Sequence, residues 1–175
     1  MVQRPVVLVS ELFPPAVGGS AVLLGEVYSR LPSTPVLVVT DRSRSSGTPP
    51  AGIARMHIQR WGLATPHWGI LDPRGWPHHV RTTLALARLG RGRSGVLHCG
   101  RVLPEGLWAY AAKRLMGVPF ICWSHGEDAT SARSSREYRV LIPRIYNAAD
   151  RVIANSRNTA EILASLGVEI GRAHV

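Results

Sequence analysis

Two cysteines in 175 residues, Cys99 and Cys122, are too few for a disulfide framework and do not have zinc-site spacing. A reducing compartment is the simpler expectation. Lysine is nearly missing: of 21 basic residues only Lys113 is a lysine, and the other 20 are arginines. Acids number 11, leaving a formal net charge of +10. No apolar run is as long as a bilayer span, and the opening MVQRPVVLVSELF has no small-residue cleavage site. The expectation is a cytoplasmic chain, with peripheral contact at the inner face of an anionic membrane left open. Also missing are a Walker P-loop, a GxSxG elbow, an HExxH zinc motif and the GxGxxG dinucleotide fingerprint. His78 and His79, being adjacent, do not face each other on a helix and read as exposed histidines at a helix start, not as a metal pair. The arginines are scattered, and no helix-turn-helix or RNA-binding signature accompanies them, so no nucleic-acid partner is expected. The charge then reads either as composition on a solvated surface or as recognition of an anionic partner, to which arginine brings bidentate pairing.

What is present is a 45% hydrophobic chain of the length of one α/β domain. Short apolar runs alternate with longer amphipathic stretches. VVLVS at 6–10 and PVLVVT at 35–40 are continuous and β-branched, as strands buried on both faces are. ARMHIQR at 54–60 alternates, as a strand nearer an edge does. GVLHC at 95–99, PFICWS at 119–124 and RVIAN at 151–155 complete six strands. Helices are expected from Gly19 to Leu31, 78–89, 104–116, 134–148 and from a Ser156 cap to Leu166. Pro143 should bend or split the fourth of these. Residues 61–77 carry six Pro or Gly breaks and three tryptophans and receive no regular structure. Strands alternating with helices mean a parallel sheet covered on both faces. The fold class is α/β, a Rossmann-like, doubly wound, mostly parallel sheet of about six strands.

In such a sheet ligands bind beyond the carboxyl ends of the strands. After strand one, Gly18 and Gly19 open a helix; they could bring backbone amides close to a phosphate, or simply form a tight turn. After strand four comes Arg101, within reach of an anion in the cleft or on the surface. After strand five, His125, Gly126, Glu127 and Asp128 place titratable groups where ligands bind, although acids there also suit a helix start. After strand six come Asn155 and Ser156, the latter also a helix cap. Trp61, Trp68 and Trp76 could form an apolar lip or pack an irregular loop.

Three runs in this order carry a resemblance: Pro14-Pro15-x-x-Gly18-Gly19 between strand and helix, the strand ending in His125-Gly126-Glu127-Asp128, and Ala149 to Ala160 (ADRVIANSRNTA). Together they resemble the N-terminal half of a family-4 glycosyltransferase of the GT-B fold, over roughly residues 5–168. The resemblance implies retaining sugar transfer from a nucleotide-sugar donor to a glycan or lipid-linked acceptor, in a cleft between two Rossmann-like domains. It implies a hexosyltransferase as the full-length protein, with no cofactor and no metal requirement. It places His125 at the sugar as the catalytic residue, Gly18 and Gly19 near the donor diphosphate or the acceptor, and Glu127 and Asp128 in the loop they shape; with Arg101, Gly126, Asn155 and Ser156 from the strand ends, these are the substrate-binding candidates. Residues 1–168 would be the acceptor-binding domain, inactive alone. EIGRAHV at 169–175 does not continue the linker toward a second domain and reads as a truncation or foreign tail. The alternative is a non-catalytic Rossmann-like module that binds an anionic lipid, a glycan or a separate catalytic chain.

Overall fold

A computed structural model describes residues 5–31, 34–43, 52–53, 56–92, 95–169 and 173–174. Most of the expected 41–52 loop, Ala54, Arg55, Arg93 and most of the 169–175 run lie outside the described residues. A parallel sheet organises the chain: β1 Val6–Ser10, β2 Val36–Asp41, β3 His57–Trp61, β4 Val96–Cys99, β5 Phe120–Ser124, β6 Arg151–Ala154 and β7 Ala173–His174. The spatial order is β3-β2-β1-β4-β5-β6-β7, and every pairing is parallel. The two-residue β7 is an addition to the six expected strands.

The α-helices are α1 Gly19–Ser29, α2 Trp76–Gly92, α3 Leu107–Met116, α4 Glu127–Thr130, α5 Arg136–Ala148 and α6 Arg157–Ser165. Sequence order runs outward from β1 in both directions, so the winding reverses between β1 and β4. A crevice opens there at the carboxyl ends of the strands.

The core follows from strand periodicity. Side chains alternate between sheet faces, so Val7 and Val9 of β1 join one cluster with Leu97, Trp108, Ile142, Ile145 and Leu163. Val6 and Leu8 join the other, with Phe13, Leu24 and Tyr28 of the α1 side. All five residues of β1 are buried, which explains why Val6, Val7, Leu8 and Val9 are apolar without interruption. Lys113, the lone lysine, sits on α3 and ties α3 to the α5–β6 turn: its Nζ lies 2.7 Å from Asp150 Oδ1, while Phe120 N–H donates to Asp150 Oδ2 at 2.9 Å.

Local chemistry sets the helix ends. Ser135 Oγ accepts from Tyr138 N–H at the start of α5, and Ser156 Oγ accepts from Thr159 N–H at the start of α6. Gly117 closes α3 in the left-handed conformation at φ 69°. Pro143 lies inside α5 without splitting it. The stretch before α3 departs from the expected regular start: Val102–Gly106 forms a π-type turn interrupted by extended backbone at Leu103.

His79 corrects the expectation of exposed histidines at a helix start. It is buried, its Nδ1 accepts from the Trp108 indole at 2.8 Å, and its Nε2 donates to the Gly69 carbonyl at 3.0 Å. The indole can only donate and the carbonyl only accept, so the ring is the neutral Nε2–H tautomer. This bond anchors the irregular 61–75 segment to the core. Two of its tryptophans, Trp61 and Trp68, pack against the core, while Trp76 is exposed.

Candidate functional site

At the switch point, a cleft of about 640 Å³ opens beyond β1, β4, β5 and β6, lined in part by Gly18, Gly19, Arg101, His125, Glu127 and Asn155. Six residues singled out from four separate loops therefore meet in one space. They meet because the loops that leave the carboxyl ends of adjacent parallel strands are neighbours in space. Gly126, Ser156 and Asp128 are not among the lining residues described. Gly126 turns the chain at φ 80°, where a side chain would be strained. Ser156 caps α6. The Asp128 side chain lies outside the described residues.

The Gly18–Gly19 backbone runs along open space: a Cβ at either position would meet no protein atom within 4 Å. Packing within the domain therefore does not require glycine here; the missing side chains leave room in the cleft. α1 begins at this point with no side-chain cap and no acid in its first turn. Its first N–H groups and the positive end of its dipole are left for an anion.

His125 is held from two sides. Its Nε2 donates to the Gly100 carbonyl at 2.9 Å, and its ring stacks on Trp123 at 6.2 Å between centroids and 7° between planes. Donation to a carbonyl assigns the proton to Nε2, so Nδ1 of the neutral ring is an acceptor. Trp123 is itself fixed by donating from its indole to Tyr28 Oη at 3.0 Å, and Tyr28 donates on to His98 Nδ1 at 2.7 Å. Burial pulls His98 down to about 4, so it stays neutral and serves as acceptor at neutral pH. The chain of bonds thus runs from α1 through two strands to the cleft histidine.

Arg101 and Asn155 complete the polar wall. Asn155 Oδ1 accepts from Thr159 Oγ1 at 2.7 Å, which orients the amide and leaves its NH2 as the donor end. Arg101 Nε lies 4.0 Å from Oε1 of Glu105, a wholly buried carboxyl that also accepts from Glu11 N–H at 2.8 Å. Burial raises the Glu105 carboxyl from its ordinary 4.5 to about 7; the Arg101 charge and the Glu11 N–H only partly oppose this. Its Oε2 is buried without a hydrogen-bond partner.

Sequence reasoning passed over Glu105, and over Leu12, Ser20 and Leu23, which also line the cleft. The signal for Glu105 was one acid inside the otherwise apolar VLPEGLWAYAA. Among the described residues no three His, Cys, Asp or Glu side chains cluster in a way that would hold a metal ion, and no helix is long and apolar enough to cross a membrane.

A parallel, doubly wound sheet with its cleft at the β1/β4 reversal is the Rossmann-like half of a GT-B fold. The sequence profile of Glycosyltransferase Family 4 matches residues 17–175, and the chain belongs to that family. No match was found among curated protein sequences. Among solved structures, Anabaena HepE in complex with UDP and glucose superposes with a TM-score of 0.66 at 13% identity, over 99% of this chain and 44% of HepE. The sucrose-phosphate synthase of Thermosynechococcus elongatus gives 0.67 at 14%, over 98% of this chain and 47% of the synthase. The UDP-GlcNAc 2-epimerase of Methanocaldococcus jannaschii gives 0.56 at 10%, over 98% and 44%. At these identities the likeness is one of fold. The chain spans less than half the length of each of these proteins.

Proposed function

We propose that this chain is the acceptor-binding half of a hexosyltransferase that moves a sugar from a nucleotide-sugar donor to a glycan or lipid-linked acceptor with retention. The observation that carries the reading is the convergence of Gly18, Gly19, Arg101, His125 and Asn155 in one cleft at the switch point. Departure of a nucleoside diphosphate develops negative charge. The uncapped N-terminus of α1 and the Arg101 guanidinium offer fixed positive partners for it. His125 Nδ1 is an acceptor suited to one sugar hydroxyl, orienting the ring without serving as general base. The HepE complex with UDP and glucose supports a nucleotide-sugar donor, and the family match favours transfer over the epimerase chemistry of a fold neighbour. The reading needs no cofactor or metal.

The test is transfer from UDP-sugars by the intact protein and by its His125→Ala variant. The intact protein should turn over. The variant should lose roughly a hundredfold in kcat, on the order of one transition-state hydrogen bond in a water-poor site. The 175 residues alone should be inactive. An intact protein that binds glycans but turns over no nucleotide sugar would instead be the non-catalytic module. Turnover by the 175 residues alone would refute the division of labour.

A further inference from the structure

A second pocket, of about 270 Å³, opens beside the carboxyl ends of β2 and β3. On one wall stand Arg42 and Trp61, joined where Arg42 N–H donates to the Trp61 carbonyl at 2.8 Å. On the other stand His78, Arg81, Thr82 and Ala85. These four are spaced i, i+3, i+4 and i+7, so they form one stripe of α2.

The pocket is electropositive by construction. Arg42 and Arg81 make no ion pair among the described residues. No carboxylate is among the lining residues described. The nearest acid in sequence, Asp41, stays ionised and its field reaches His78, but it does not line the pocket: its oxygens accept from Ser43, Leu63 and Ala64. His78 presents a buried Nε2 with no hydrogen-bond partner, but burial lowers its pKa, so the ring is neutral and the positive charge is that of the two arginines. Two guanidinium forks without carboxylate partners, beside an indole, suit a phosphate that extends from an organic group.

Size and position decide which ligand this is. Complete small-molecule sites start at about 300 Å³, so the pocket takes one group of a larger molecule. β5, whose loop carries His125, is separated from β2 and β3 by three and four interstrand spacings, roughly 14–19 Å. A molecule with its reacting hydroxyl beside His125 would reach this pocket across about two to three sugar units.

We propose that the pocket between α2 and the ends of β2 and β3 is an acceptor subsite for a phosphate group, held by Arg42 and Arg81. The role as acceptor subsite rests on the transfer reading of the main cleft. The phosphate-binding claim stands on the pocket itself. The phosphate could belong to a sugar phosphate or to a lipid headgroup.

The test titrates the 175-residue chain with glucose 6-phosphate, with a short-chain phosphatidic acid below its aggregation limit, and with glucose. The readout is the arginine side-chain and indole N–H resonances by NMR. At least one phosphate ligand should shift Arg42, Arg81 and the Trp61 indole, and glucose should not. The tighter of the two phosphate ligands identifies the source. Arg42→Gln and Arg81→Gln should each weaken binding roughly tenfold, as loss of a charge-assisted hydrogen bond does. Both side chains are exposed, so the fold should tolerate their loss. Ala85→Glu, which puts a carboxylate into the pocket, should abolish binding with both arginines in place. The proposal fails if neither phosphate shifts these resonances at millimolar concentration, if both act only at Arg101 and His125, or if the variants bind like the native chain. Each such failure leaves the transfer assay and its His125 variant untouched.

Discussion

Replacing Glu105 with Gln should stabilise the protein at pH 8 and change it little at pH 4.5. The Glu105 carboxyl is wholly buried, with its pKa raised from 4.5 to about 7. A raised carboxylate pKa means the folded state holds a proton that the unfolded chain has already released. The stability it contributes is therefore full below 4.5, declines as pH rises, and is lost once pH passes about 7. At about 1.4 kcal/mol per pH unit, the loss across that window is roughly 3 kcal/mol. Gln keeps an oxygen for the Glu11 N–H and removes the buried charge. It also gives up the attraction to Arg101, so the net gain at pH 8 should be about 1–3 kcal/mol. For a chain of this length, that is a rise of roughly 2–10 °C in Tm. Urea titrations followed by tryptophan fluorescence, run in steps from pH 4.5 to 8 on both proteins, measure the difference directly. The gap between the two should widen with pH and level off above 7. A variant less stable than the native chain at pH 8, or a gap indifferent to pH, would refute the reasoning.

Three further outcomes follow from the same geometry. Burial pushes the Asp41 carboxyl up, but hydrogen bonds from Ser43, Ala64 and Leu63 outweigh it, and its pKa ends below 3.8. Its contribution is therefore present at neutral pH and lost as pH falls through the depressed value; Asp41→Asn should cost about 1–3 kcal/mol at pH 7, with the difference shrinking in acid, as urea titration would record. Gly100→Ala would bring a Cβ within 2.5 Å of Ser10 Oγ and 3.2 Å of Leu24 Cδ1; a loss of roughly 1–3 kcal/mol is expected in thermal melts, with weaker donor binding because Gly100 also holds His125. Exposed Trp76 and Val80 share a shallow surface hollow with Arg81 and Arg88, so Trp76→Ser and Arg88→Gln should each reduce co-sedimentation with anionic vesicles; sedimentation insensitive to anionic lipid content would dismiss the membrane contact.

The strands and the cleft were legible because both depend on short-range pattern. Continuous β-branched runs marked β1 and β2, and a parallel sheet sends every β-to-α loop to one edge, so four loops could be assigned to one site before their geometry was known. Residues 61–75 were not legible, because distant groups hold them. Asp41 accepts from Leu63 and Ala64, 22 and 23 positions away. Glu137 accepts from Leu71 at a separation of 66, and His79 reaches back to Gly69. No periodicity records such bonds. His79 was misjudged for the same reason: its burial depends on Trp108, which lies 29 positions further on.

Glu105 was missed because a lone acid early in a helix ordinarily reads as a complement to the dipole. Its cost argues otherwise. A buried carboxyl with one unpartnered oxygen is a liability that a glutamine or a methionine would relieve. What the ionised group supplies is position. It fixes the backbone of Glu11, which leads into the Gly18–Gly19 loop, and it sits against the guanidinium of Arg101 on the cleft wall. Stability given up next to a cleft is what a functional site looks like when its geometry matters more than its energy. The arginine surplus then separates by surroundings. Arg101 is anchored from below and aimed at one site. Arg42 and Arg81 face a pocket without an acid. A raised Glu105 pKa couples the first of these to pH: protonation below about 7 removes the charge beside Arg101. Donor affinity should therefore change across pH 6–8 in the native protein and stay flat in Glu105→Gln, a comparison independent of the stability measurement.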